Sequence, residues 1–142
     1  MNQLLQSIFL GYYSFERYIS SPQVTFTGTA TFENGLDNQI LYLEEGRYRL
    51  EGLEQICYQK RIFVVDASGL TIYRQDNSLL HEFRVDNMQT FPIQLTHTHH
   101  CKDDQYSLTL DIHSNNSFSM AYVVNGPSKD YRIHTDFTRR LL

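Results

Sequence analysis

The chain has 142 residues, with 12 Lys and Arg scattered among 16 Asp and Glu, a net charge of -4 and two cysteines. That length makes residues 1–142 one domain, able to bury a core but too short to divide. The absence of any basic run excludes a nucleic-acid partner, and Cys57 and Cys101 are too few for a disulfide framework, so both read as free thiols.

The opening MNQLLQSIFLGYYSFERY lacks a basic start, and its apolar stretch is too short and broken for a signal peptide or a membrane span. The expectation is a cytoplasmic protein with no membrane partner. Leu4, Leu5, Ile8 and Phe9 fall at helical spacing, which predicts a short N-terminal helix placed to plug one end of a barrel.

From Gly11 onward the pattern is period two. Gly11–Ile19 alternates, and in Val24–Glu33 one face carries Val24, Phe26, Gly28, Ala30 and Phe32 while threonines fill the other. The alternation continues through Gln39–Glu45, Arg47–Glu51, Gln55–Val65, Leu70–Arg74, Leu79–Val85, Phe91–Cys101, Asp104–His113, Phe118–Val124 and Tyr131–Arg139. Short turns such as DASG, QDNS, SNNS and NGPSKD separate these runs. About eight to ten such strands in series predict an all-β fold, an antiparallel up-and-down β-barrel that hides its edges by closing.

Strand parity also sorts the polar residues. Phe91, Ile93 and Leu95 are apolar and inward, so His97, His99 and Cys101 share their face. With Lys102 and Asp103 as the turn, Cys101 pairs with Asp104, His99 with Tyr106, His97 with Leu108 and Leu95 with Leu110. Arg17 shares parity with Tyr13, Phe15 and Ile19, Glu44 with Ile40 and Tyr42, and Arg139 with Tyr131, Ile133 and Phe137. Charges on an inner face cost about several kcal/mol each unless paired or met by water or a ligand. They therefore predict a pocket, or a paired network beneath one.

The motifs G-x-Y-x-F-x-R-x-I from Gly11, F-x-G-x-A-x-F from Phe26, L-Y-x-E-x-G from Leu41, H-x-C-x-x-D-x-Y from His99 and V-x-G-P-x-K-D-Y from Val124 span nearly the whole chain. Together they resemble a family of small bacterial and fungal proteins classed as a domain of unknown function. That family is considered lipocalin-like, or calycin-like. The resemblance implies a barrel in which a late arginine stacks on the aromatic ring of a Gly-x-Trp motif in the first strand. This chain has no tryptophan, and Gly11, Tyr13 and Arg139 hold the corresponding places. A guanidinium over a phenol ring gains about 0.5 to 2 kcal/mol, so Tyr13 and Arg139 are expected to lock the barrel.

Several chemistries remain open on these residues. His97, His99 and Cys101, with Asp104 across the turn, offer metal-ligand atoms, but successive inward residues lie about 6 to 7 Å apart, which disfavours convergence on one ion. No metal or other cofactor is expected. Thiol catalysis by Cys101 would need His99 as its activator, and no oxyanion-hole motif accompanies them. In NGPSKDY, Gly126 suits a positive φ, and Lys129, which turn chemistry alone does not specify, is a candidate to greet an anion at the barrel mouth.

The leading expectation is a barrel that binds a small amphipathic acid. Arg17 would meet the acid, Phe26, Phe32, Tyr42 and Tyr106 would cover the apolar body, and Glu44, His99 and Lys129 would complete the site. The alternative is an enzyme using His99, Tyr106, Glu44 and Arg17 in the same cavity. A haem- or metal-binding barrel is a third reading.

Overall fold

Ten antiparallel strands account for the period-two pattern in a computed structural model that describes residues 3–85 and 90–141, the first two of these as backbone only. Helix α1 (Gln3–Phe9) precedes β1 (Gly11–Ser20), β2 (Gln23–Asn34), β3 (Gln39–Leu50), β4 (Leu53–Asp66), β5 (Gly69–Arg74) and β6 (Leu79–Arg84). β7 (Ile93–Cys101), β8 (Asp104–Ser114), β9 (Ser117–Asn125) and β10 (Asp130–Arg139) complete the chain. The two runs of alternation Gln39–Glu45 and Arg47–Glu51 form the single strand β3. Gly46 does not interrupt it, because it pairs with Gly28 on one side and Cys57 on the other.

The strands lie in the order β6-β5-β4-β3-β2-β1-β10-β9-β8-β7. This is an up-and-down meander in which β1 zips to β10, so the sheet rolls into a nearly closed barrel. The remaining seam lies between β6 and β7. The β7–β8 hairpin has the register deduced from parity, with Cys101 opposite Asp104 and His99 opposite Tyr106. Lys102 makes the tight turn by taking a φ of 56°. No helix among the described residues is long and apolar enough to cross a membrane.

Helix α1 fills one end of the barrel. Leu5, Ile8 and Phe9 are buried, whereas the side chain of Leu4 lies outside the described residues. The Phe9 ring sits 5.7 Å from Phe32, 5.5 Å from Phe63 and 5.4 Å from Phe118. Phe118 stacks on Phe137 at 4.6 Å. Offset and edge contacts of this kind add to the area each ring buries, so this half of the interior is solid.

Arg139 joins the helix to the barrel. Its guanidinium lies 4.9 Å from the centre of the Tyr13 ring and donates to the carbonyls of Leu10 (2.6 Å), Ile8 (2.7 Å), Ser7 (3.1 Å) and Asn115 (2.9 Å). The last carbonyls of a helix lack partners in the helix itself, and α1 has no basic residue in its own last turn. The far end of β10 supplies one. The Tyr13 hydroxyl also donates to the Ile8 carbonyl. Gly11 is required on two counts: its φ is +140°, and a Cβ there would fall 2.2 Å from Arg139 Nη1.

Replacing Arg139 or Tyr13 with Ala is expected to lower stability by about 1 to 3 kcal/mol, through carbonyls left unbonded and a ring left uncovered. Urea unfolding checks this, and a wild-type midpoint in both variants would show that the pair does not hold the barrel shut.

Candidate functional site

Arg17 enters the interior between Phe15 and Ile19, where a lone guanidinium would be costly. The fold answers it completely. Nη1 and Nη2 each donate to Glu44 at 2.6 Å, and Nε donates to Thr135 Oγ1 at 2.8 Å. The Tyr42 hydroxyl donates to Glu44 Oε1, and the guanidinium carbon lies 4.7 Å from the Phe15 ring centre. Burial opposes the charge on Arg17, but the bond and attraction to Glu44 outweigh it and raise the guanidinium's pKa. Burial, reinforced by Glu44, holds the Tyr42 phenol well above its usual range.

Parity leaves Arg17 either a ligand acid or a partner in a paired network, and the structure gives it the network, with Glu44 as its carboxylate. The interior above the pair is nevertheless open, with a cavity of about 480 Å³. Arg17, Glu44 and Tyr42 form part of its floor, and Phe26, Met120, Tyr122 and Tyr131 contribute to its walls. Phe32 does not line it, because that ring is packed into the solid half among Phe9, Tyr13 and Phe63.

Tyr106 lines the cavity, and His99 packs beside it with ring centres 6.3 Å apart. Lys129 is engaged by the protein itself. Its ammonium donates to the Tyr106 hydroxyl at 2.7 Å and pairs with Asp104 at 2.9 Å, and these bonds raise its pKa. Gly126 serves this contact rather than a positive φ, since a Cβ would meet Asp104 Oδ1 at 1.9 Å. Cys101 is exposed at the hairpin end. Among the described residues, no three His, Cys, Asp or Glu side chains are grouped so that they could hold a metal ion.

Four residues that motif and parity reasoning did not single out belong to this region. Arg61, Arg74 and Tyr122 line the cavity, and His81 is fully buried beside it. Parity places each of them: Arg61 alternates with Phe63 and Val65, Arg74 with Ile72 and Leu70, His81 with Phe83, and Tyr122 with Val124. His97, one of the candidate metal ligands, meets His81 across the seam, Nδ1 to Nδ1, at 3.0 Å. His81 Nε2 has no hydrogen-bond partner among the described residues. Burial first, then the nearby His97, His99, Arg74 and Arg61, push His81 down from 6.5 to about 3. Tyr122 faces the same imidazole with its ring centre 5.4 Å away, and its phenol is pushed up to about 12 by burial.

Arg17→Met is expected to destabilise the protein by about 3 kcal/mol, because it leaves Glu44 charged and buried without its partner. An unchanged urea midpoint would contradict that account. For His81 the folded pKa is depressed, so its stabilising effect is complete above pH 6.5 and is lost as pH falls towards 3. Wild type should therefore lose about 1.4 kcal/mol per pH unit from this group below that point, and His81→Leu should not. Parallel acid limbs in the two stability profiles would remove His81 as the cause.

No curated protein matches the sequence. Among solved structures, the chain resembles a de novo designed fluorescence-activating β-barrel, with a TM-score of 0.54 and 14% identity over 99% of this chain and 100% of that one. It also resembles EF1p2_mFAP2b bound to DFHBI, with a TM-score of 0.55 and 8% identity over 95% of this chain and 96% of that one. At such identities the likeness shows the barrel fold alone. Residues 9–139 match a family of unknown function, DUF6314, and the chain belongs to that family.

Proposed function

We propose that residues 1–142 act as one binding domain that holds a small, partly apolar organic acid in the lumen of the barrel. The observation that carries this is the cavity: about 480 Å³ of open interior, walled by aromatic and aliphatic side chains with a few convergent polar groups, above a floor whose charges are already paired. Small-molecule sites have this size and composition. An interior built only for packing would continue the aromatic fill of the helix end, as dense cores do. The fold-level likeness to EF1p2_mFAP2b bound to DFHBI supports the reading by analogy of architecture. A cytoplasmic setting would keep Cys57 and Cys101 as thiols. The proposal concerns binding, since Arg17 and Glu44 engage each other and are not poised as an electrophile and a base.

Native mass spectrometry of protein purified from its own host tests the proposal, with the neutral fluorophore phenylnaphthylamine as a second probe. Wild type is expected to retain a small organic molecule and to bind the probe. Met120→Trp, which fills the lumen, is expected to lose both while keeping its β-sheet circular dichroism. Empty wild-type protein, together with probe binding unchanged in Met120→Trp, would overturn the reading.

A further inference from the structure

Two guanidinium groups that line the lumen belong to none of the ion pairs among the described residues. Arg61 on β4 and Arg74 on β5 are direct cross-strand partners, and both line the cavity. Like charges placed opposite each other in a sheet repel, so this arrangement costs stability in the empty protein. Asp76 attracts Arg74, but only from the exposed turn, where its carboxylate is bonded to Ser78. Arg61 Nη1 donates to the Lys60 carbonyl at 2.9 Å, and Arg74 Nη1 donates to the Ser78 hydroxyl at 3.3 Å. The ion pairs among the described residues include neither guanidinium. The acid that acts on Arg61, Glu44, already has Arg17 on both oxygens and Tyr42 on one. Three arginines and one glutamate are the Lys, Arg, Asp and Glu residues of the lining, which leaves +3 - 1 = +2 there, in a chain whose net charge is -4.

We infer that Arg61 and Arg74 form a clamp for the oxyanion head of the ligand, a carboxylate, sulfonate or phosphate group on an organic body that lies against Phe26, Met120 and Tyr122. Two planar guanidinium forks on adjacent strands present paired donors of the kind that bind such heads bidentately, and the anion removes their mutual repulsion as it binds. Burial lowers the basicity of Arg61, and Arg74 adds to that while Tyr122 opposes it, so the charge is held at a cost that an anion relieves. The site uses the cavity of the proposed function and rests on that reading, but it assigns the acid to Arg61 and Arg74 rather than to Arg17, whose guanidinium is taken by Glu44.

Two fluorescent probes of similar shape separate the questions: anilinonaphthalene sulfonate, which carries the oxyanion, and phenylnaphthylamine, which does not. Wild type is expected to bind the sulfonate at least about tenfold more tightly than the neutral probe. The double variant Arg61→Met/Arg74→Met is expected to lose that preference while its affinity for the neutral probe changes by less than about twofold. With no probe present, Arg61→Met should melt no lower than wild type, since relief of the repulsion from Arg74 offsets loss of the exposed bond to the Lys60 carbonyl. If neither probe binds, the cavity reading itself fails. If both bind but the sulfonate preference is absent or survives the double variant, the clamp is overturned and the cavity reading stands. A melting temperature several degrees lower for Arg61→Met would make Arg61 a structural residue and also overturn the clamp.

Discussion

The ion pair between Arg17 and Glu44 divides this barrel into two halves. Glu44's side chain is 2% exposed and Arg17's 14%, so neither charge is hydrated as it would be at the surface. Attraction alone offsets such burial poorly. What makes it tenable is the complete set of bonds: a two-pronged contact between the pair, Thr135 on Nε and the Tyr42 hydroxyl on the carboxylate. On one side Phe32 and Phe118 pack with Phe63 and Phe137 against the helix, the last two also reaching the lumen. On the other lies open lumen. Both contents depend on the pair, since a satisfied polar layer can face water or a ligand above while it seals an apolar core below.

Closing the sheet poses a separate problem, and the chain solves it differently at different joints. Backbone ladders link every neighbouring pair in the strand order, including β1 to β10. Arg139 then ties that last ladder to the helix carbonyls. At the seam between β6 and β7 the bridge is made by side chains, with His81 against His97 and Phe83 packed near the same ring. An imidazole pair can do this only while at least one ring is neutral, because two imidazolium ions would repel at that distance. His97, which looked in the sequence like a metal ligand, thus acts with His81 as a fastener.

Most of the architecture was legible because period-two alternation is a direct print of a two-sided strand. The register of the β7–β8 hairpin, the inward Arg17 and Glu44, and the plug made by Ile8 and Phe9 all come from parity and helical spacing. The site was only partly legible. Nothing in the sequence says that Arg17 reaches across β2 to Glu44, because the two strands are not neighbours and their meeting depends on barrel curvature. The partner of Lys129 was not legible either, because the lysine sits in the turn between β9 and β10 while Asp104 opens β8. Arg61 and Arg74 were readable in principle, since each shares parity with core residues, but their importance appears only when pairing sets them face to face.

The contrast between Arg17 and Arg61 shows how register decides what partners a half-buried, lumen-lining arginine meets. Both sit on inward faces, both keep the alternation of their strands, and both line the same cavity. Arg17 stands opposite Thr135 on β10 and Phe26 on β2, which leaves its head free to extend to Glu44 one strand further on. Arg61 stands opposite Tyr42 on β3 and Arg74 on β5, so its neighbours offer a phenol and a second cation. Tyr42's hydroxyl is already engaged with Glu44. A shift of two residues in the pairing of β4 against β5 would bring Ile72 or Asp76 opposite Arg61 in place of Arg74, and the second of these would neutralise it. The register in place keeps the positive charge unmatched within the protein. An arginine without an ion pair beside open, apolar-walled space adds nothing to a core, and it is the feature on which the proposed anion clamp rests.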